Sequence, residues 1–499
     1  PPPAGPRFRL VERRSTDEEG VAPTAVRTLS TAGDPADRLD VAATGASGVV
    51  AGGELQEAPR CTDPSRSRSM SRQALSSEEG TRWSVTIRGD DGCLFELELD
   101  GELRFDATFS SIAWIEPGAR FQIRSEEPGE PDRRLDVRGD EAGRPAIRFW
   151  REGDEVALDD EARAWLAGAL LPVLRLTGIA AEERTRWLLG RGGPTAVFRE
   201  VELIGSDHVQ KRYLLALVDE GELDEEGLSR VLRVATETIG SDGTMSDLVV
   251  ELVARRPEVL RGGGLPAFEQ AVAGVSSDSE HRAMLLRLLD LQGGDPAVRG
   301  TLLASARDHI GSDSETRHFL AALAERYPTE LGEARYWAAA ATIGSDSELR
   351  TVLLALADSD LHGGRALAPA LEAASVHIGS DSEMRTFLER LVRGRPSVAS
   401  GAPADAFWRC IDTIDSDSEL SRALLALIEE TGEGEALAGA LAAAARGLGS
   451  DSEMSSFLVA FANRHRSAAT GRLRDAYLEA VHTIGSDSER ERALAALER

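Results

Sequence analysis

The sequence predicts an α+β protein organised by domain: a disordered N-terminal tail, a small antiparallel β-domain, and a long right- or left-curving α-solenoid of about nine helical hairpins. Three observations carry this prediction. The first 80 residues are rich in Pro, Gly, Ala, Ser, Thr and Arg and show no period of 2 or 3.6. Apolar residues alternate from Trp83 onward, and a Ser-Asp pair then recurs at spacings of 33–36 residues. The boundaries that follow are 1–80 for the tail, 81–178 for the β-domain with a covering helix, and 179–499 for the solenoid.

The tail reads as a solvated linker. Its Arg66, Arg68 and Arg72, interleaved with Ser65, Ser67, Ser69 and Ser71, offer a phosphorylation or docking segment as the functional alternative. Beyond it, Trp83, Val85 and Ile87, then Phe95, Leu97 and Leu99, then Leu103 and Phe105, read as strands. Asp100–Gly101 supplies the turn that would pair the two runs around it. Further short apolar runs, punctuated by Pro117–Gly118, Pro128–Gly129 and Gly139, bring the count to five to seven strands over about 81–156. The amphipathic stretch Asp159 to Leu176, interrupted by Pro172, is the expected cover for one face of the sheet.

The repeat places its cap serine at 206, 241, 277, 312, 345, 380, 416, 450 and 486. A branched aliphatic residue stands two positions before each, and Gly stands one before in seven of nine copies. This junction predicts a helix closed by a left-handed glycine such as Gly311, followed by a capped helix. Ser312 is the expected N-cap, Glu315 completes a capping box, and Asp313 favours the helix N-terminus. The same roles fall to Ser345 and Glu348, Ser380 and Glu383, and Ser450 and Glu453. Asp313–Arg317, Asp346–Arg350 and Asp381–Arg385 are spaced for i,i+4 support. Nine Asp residues would thus form a ladder, which these roles explain as caps rather than as calcium ligands.

Eight residues after each cap serine stands Leu, or Val249, and eleven after stands Leu, or Phe461. That spacing is one stripe of a first helix. Counting back, position nine is Val197, Leu232, Phe268, Leu303, Tyr336, Leu371, Phe407, Leu441 or Tyr477, and position six is Ala in seven copies, the inner stripe of a second helix. Cys410 replaces that Ala and reads as a buried structural thiol.

Composition bounds the function. Lys plus Arg 57 against Asp plus Glu 85 gives a net charge of −28, a field that repels phosphate and anionic lipid. Neither nucleic acid nor membrane insertion is expected. One lysine, Lys211, and one asparagine, Asn463, point to a GC-rich bacterial coding genome. Localisation stays open between the cell envelope and the cytoplasm. Three cysteines give no disulfide framework and no zinc spacing. His309 and His377 occupy one repeat position two units apart, too distant to share a metal. No nucleophile elbow or phosphate loop occurs, and no cofactor is expected.

Position eight before each cap varies in character, with Trp337, Glu372 and Trp408 in three successive units. Two readings fit them. Either the rings anchor an extended ligand segment spanning roughly 20 Å, or they pack against the neighbouring repeat.

The helix pairs resemble the HEAT-like or armadillo-like class of solenoids. The strand region around Glu98–Asp100–Gly101–Glu102, the segment Asp160 to Arg175 and the Ile-Gly-Ser-Asp-Ser-Glu repeats together resemble C-terminal regions of bacterial membrane zinc peptidases of the antirepressor family and their stand-alone relatives, over about residues 81–499. The His-Glu-x-x-His motif of those peptidases is missing here. The resemblance therefore implies an accessory or sensing part. Three functions remain in view: a non-enzymatic protein- or peptide-binding scaffold, in envelope sensing or signalling; a regulatory part of such a peptidase; and a structural spacer.

Overall fold

A computed structural model describes Thr62 and residues 67–77, 80–89, 92–357 and 366–498. The chain divides into two compact units after Ala180. The expected tail lies outside the described residues as far as 61, but Ser67–Ser77 is a strand and not linker. Ladder hydrogen bonds come from the backbone, so a Ser/Arg segment pairs as well as an apolar one. Composition did not betray it.

The first unit contains β1 (Ser67–Ser77), β2 (Gly80–Gly89), β3 (Leu94–Asp100), β4 (Leu103–Phe105), β5 (Ile112–Ile115), β6 (Arg120–Glu126), β7 (Arg133–Gly139), β8 (Pro145–Arg151) and β9 (Asp154–Val156). Seven of them form one antiparallel sheet in the order β1-β2-β3-β6-β7-β8-β9, while β4 and β5 pair separately. The hairpin expected around Asp100–Gly101 is therefore not formed. Gly101 does take a positive φ of 101°, but the turn carries the chain off the sheet, and β6 occupies the edge of β3 instead. Its seven-residue ladder sets Leu97 opposite Ile123 and Leu99 opposite Phe121, all buried, an apolar gain that three-residue β4 cannot match.

One sheet face is dry. Val85, Ile87, Phe95, Leu135, Val137 and Phe149 pack under α1 (Asp160–Thr177), which contributes Leu166, Leu170 and Val173. Asp159 caps α1 by accepting from the Ala162 N–H at 2.8 Å, and the helix runs on through Pro172 to a left-handed Gly178 (φ 67°). Cys93, at the entry to β3, is buried and disulfide-bonded. This corrects the expectation that the cysteines give no disulfide framework; Cys410 is free.

The second unit is a helical repeat solenoid. Its N-terminal hairpin is α2 (Ala181–Glu202), broken at Gly192 and Gly193. Eight hairpins follow: α3 and α4 (Asp207–Glu220, Glu225–Thr238), α5 and α6 (Asp242–Arg255, Leu265–Ala273), α7 and α8 (Asp278–Gln292, Pro296–His309), α9 and α10 (Asp313–Arg326, Ala334–Ala340), α11 and α12 (Asp346–Ala357, Leu367–His377), α13 and α14 (Asp381–Gly394, Ala404–Asp412), α15 and α16 (Asp417–Glu430, Gly434–Gly447), and α17 and α18 (Asp451–His465, Arg472–His482). Helix α19 (Asp487–Glu498) follows alone. First helices stack on first helices and second on second, from α3 on α5 to α16 on α18. Every residue of the nine-before stripe is buried.

The described loops inside the hairpins are of more than one kind. Those of α5–α6, α9–α10 and α13–α14 each carry a proline-initiated 3₁₀ turn, at Pro257–Leu260, Pro328–Gly332 and Pro396–Ala399. The residue before each proline has the same backbone, with φ/ψ of −135/71°, −134/72° and −147/74°, outside the α region as a following proline demands.

The junctions between hairpins differ from ordinary capping. None of the glycines preceding the cap serines has a positive φ: each helix already ends at or just before the aliphatic residue, as α8 does before an extended Ile310. The Asp side chain reaches forward into the next repeat. Asp313 accepts from the Gly344 and Ser345 N–H groups at 3.0 and 2.8 Å, and Asp451 from those of Gly485 and Ser486 at 2.9 and 2.8 Å. Asp207, Asp242, Asp278, Asp381 and Asp417 make equivalent bonds to the repeat that follows each.

This removes the capping box. The cap-serine N–H that Glu348 would have accepted belongs to Asp313, so Glu348 pairs with Arg317 of the preceding repeat. Arg282–Glu315, Arg350–Glu383 and Arg385–Glu419 repeat the pattern. The arginines expected to support their own Asp at i,i+4 are thus spent between repeats. Ser312 and Ser450 do accept from the Glu315 and Glu453 N–H groups, at a long 3.4 Å, but Ser380 makes no side-chain cap bond. Its hydroxyl meets that of Ser382 at 3.1 Å, as Ser345 meets Ser347 at 3.2 Å.

Asp313→Ala strands two N–H donors and is expected to cost about 1.5–3 kcal/mol, whereas Ser380→Ala should stay within about 0.5 kcal/mol. Gly311→Ala, at an ordinary φ, should be neutral or stabilise by about 0.4–1 kcal/mol. Urea melts of the three variants check this assignment. A greater loss at Ser380 than at Asp313, or a clear loss at Gly311, would restore simple capping.

Candidate functional site

The three positions singled out as a ligand surface do not form one. Trp337 lies in α10 at 3% exposure. Its Nε1–H donates to the Leu331 carbonyl at 2.8 Å, and its ring meets Tyr336 edge-on at 5.1 Å. It is interior, which corrects its reading as an anchor. Trp408 in α14 is half-buried; its indole lies over Gly439 of α16, where an added Cβ would come within 2.3 Å of the ring. That ring packs on the neighbouring repeat, the second of the two readings. Of the three, only Glu372 is exposed. At this position Trp408 packs on the next second helix, Trp337 closes onto its own hairpin, and Glu372 meets solvent.

Two buried polar sites escaped the sequence reading. Glu330 is buried in the 3₁₀ turn of the α9–α10 hairpin, at the position that Val259 and Val398 fill in the sister turns. Its carboxylate accepts from Arg299 Nε at 2.6 Å and from Arg335 Nε and a terminal guanidinium nitrogen at 3.0 and 2.9 Å. Arg299 also donates to the Gly293 carbonyl at 2.7 Å. A buried carboxylate so enclosed is a brace between neighbouring hairpins. Its signal was the charged residue in an otherwise apolar slot of the turn.

The other site is His281, on α7, where most repeats carry Met or Leu. The ring is fully buried. Nδ1 lies 3.1 Å from the Val275 carbonyl and so carries the proton, while Nε2 accepts from the Ser305 hydroxyl at 2.8 Å. The His309 ring sits 5.8 Å away. Burial, the largest effect, holds the imidazole below its ordinary value, with His309 acting in the same direction; the Val275 bond, Asp278 and Asp242 oppose them.

Cys410 is buried as expected, its thiol on the Leu371 carbonyl at 3.1 Å and pushed up to about 12 by burial. Among the described residues no three His, Cys, Asp or Glu side chains converge as a metal site requires, and no single helix is long and apolar enough to cross a membrane. Seven of the ladder Asp side chains already accept from backbone N–H groups of the next repeat, and Asp487 pairs with Arg490.

Trp337→Ala should therefore cost about 3–5 kcal/mol in a denaturant melt; a loss below about 1 kcal/mol would place the ring at the surface. The sign for His281 follows from its lowered folded value. The unfolded chain binds the extra proton below about pH 6.5, so this contribution is complete above that pH and lost as the pH falls toward the folded value. Melting temperature should drop more steeply from pH 7 to 5.5 in the wild type than in His281→Met. Equal slopes would show that the histidine carries none of the effect.

No protein-family model matches this chain and no curated protein matches its sequence, so its likeness to the membrane peptidases rests on the residue pattern alone.

Proposed function

We propose that the protein is a non-enzymatic scaffold of the HEAT-like class that binds a protein or peptide along its repeat array. The observation that carries this reading is the Asp-to-backbone junction, repeated from hairpin to hairpin. It makes a stacked array of near-identical units, and such arrays expose extended surfaces on a fixed frame. The chemistry-bearing side chains support it: Asp, Arg and Glu of the repeat hold neighbours together, and His281, Glu330 and Cys410 are internal. The exposed residues of the second-helix layer, Glu372 among them, are left for recognition.

A second reading, the sensing part of a membrane zinc peptidase, is favoured by Cys93. A disulfide persists on the oxidising side of a membrane, where an envelope sensor would work.

The test is chemical crosslinking of the full chain in native extract, followed by titration of each captured protein, once purified, against wild type and Glu372→Arg. The expected outcome is a saturable partner whose affinity falls at least tenfold in the variant at unchanged melting temperature. Purified protein that instead turns over peptide substrates on its own would overturn the scaffold reading.

A further inference from the structure

The face of the β-sheet turned away from α1 carries a cluster of arginines around one carboxylate. At its centre the register sets Arg120 opposite Arg138, Gln122 opposite Asp136, and Arg124 opposite Arg134. Like charges directly opposite one another destabilise a strand pair, and here two such pairs flank a single carboxylate. On the next strand Arg148 stands opposite Asp136 and Trp150 opposite Arg134.

Asp136 organises this surface from beneath. Its side chain is only 8% exposed. It accepts from Arg120 at 2.9 Å, Gln122 Nε2 at 2.7 Å and Arg138 Nε at 3.5 Å, and Arg134 stands 3.9 Å away. Burial alone would push this carboxyl up; Arg120, then Arg138 and Gln122, outweigh it and hold it below the usual carboxylate range. Three guanidiniums therefore share one ionised carboxylate on a chain whose net charge is −28, while Asp100 stands opposite Arg120 and Glu98 opposite Gln122 on the neighbouring strand. Arg134 and Arg138 keep 50% and 68% of their side-chain surface in solvent. Trp150 lies under the guanidiniums of Arg134 and Arg148, at 5.1 and 4.8 Å, which fixes their planes.

We propose that this arginine-rich sheet face docks an extended acidic segment of a partner protein, with its carboxylates on Arg120, Arg134 and Arg138. Oriented guanidiniums pair with carboxylates in bidentate fashion. The Arg120–Arg138 and Arg124–Arg134 rows are four strand residues apart, roughly 13 Å, and an extended peptide presents residues i and i+4 on one face at the same separation. The basic area is short. Arg124 is engaged by Glu126 and Glu96, Arg148 by Glu155, and Glu98 lies alongside, so a continuous polyphosphate would meet acidic flanks. The proposal does not depend on the solenoid reading.

The probe is a labelled eight-residue peptide with two Glu four positions apart and one Phe, titrated into the full chain at low and moderate salt. Saturable binding is expected, weakened several-fold by salt and at least tenfold by Arg134→Ala/Arg138→Ala. Both side chains are exposed, so melting temperature should hold, and Arg82→Ala, on the same face beside Asp100, should bind as wild type does. Any of four results would overturn the proposal: no saturable binding, equal binding of the Gln version of the peptide, no loss in the double variant, or tighter binding of a single-stranded oligonucleotide or inorganic phosphate.

Discussion

A carboxylate that reaches from one repeat to the backbone of the next is the interaction on which the solenoid depends. Every helix begins with N–H groups that have no partner in their own helix. The residues leading into each first helix are in the same position, since the chain arrives there in extended conformation. Asp313 satisfies those of Gly344 and Ser345, and its counterparts do so along the array. The loop within a hairpin can lengthen by a 3₁₀ turn without disturbing this contact, because the loop lies at the other end of the helices. The Gly-Ser-Asp junction cannot move, because two repeats must meet there in register.

The fourth residue after the cap serine shows how the same junction is finished. Where it is Met or Leu, it joins the apolar stripe. In three repeats a polar side chain there turns to the carbonyl two residues before the serine: Gln210 donates to Ile204 at 2.6 Å, His281 lies on Val275, and Arg490 donates to Ile484 at 2.6 Å. One acceptor is thus met by three different side chains. Because the bond satisfies both partners, Gln210 and His281 are tolerated in a buried position.

The two units use charge differently. In the solenoid, opposite charges are matched from repeat to repeat, as in Arg317–Glu348, and at Glu330 even a buried carboxylate has two guanidiniums. In the β-sheet the matching is incomplete, and arginine is left over around Asp136. A side chain whose pairing is finished within the fold contributes to the stacking. One whose pairing is unfinished is available to another molecule.

By itself the sequence determined the order of the chain, the helical hairpins and their core. The period of 33–36 residues and the Leu and aromatic stripes are local patterns, and local periodicity is what a helix face obeys. It also identified Ser, Asp and Glu of the junction as the residues that matter. Only the tertiary structure decided what they touch, because their partners lie some 35 residues away and no local spacing distinguishes a cap on the residue's own helix from a bond to the next repeat. The same holds for Ser67–Ser77, whose strand is made by the backbone of β2, and for β3, whose partner is β6 and not the adjacent β4. It holds for Trp408, whose ring packs on Gly439 of the next repeat, and for the arginines around Asp136, which only the sheet register brings together.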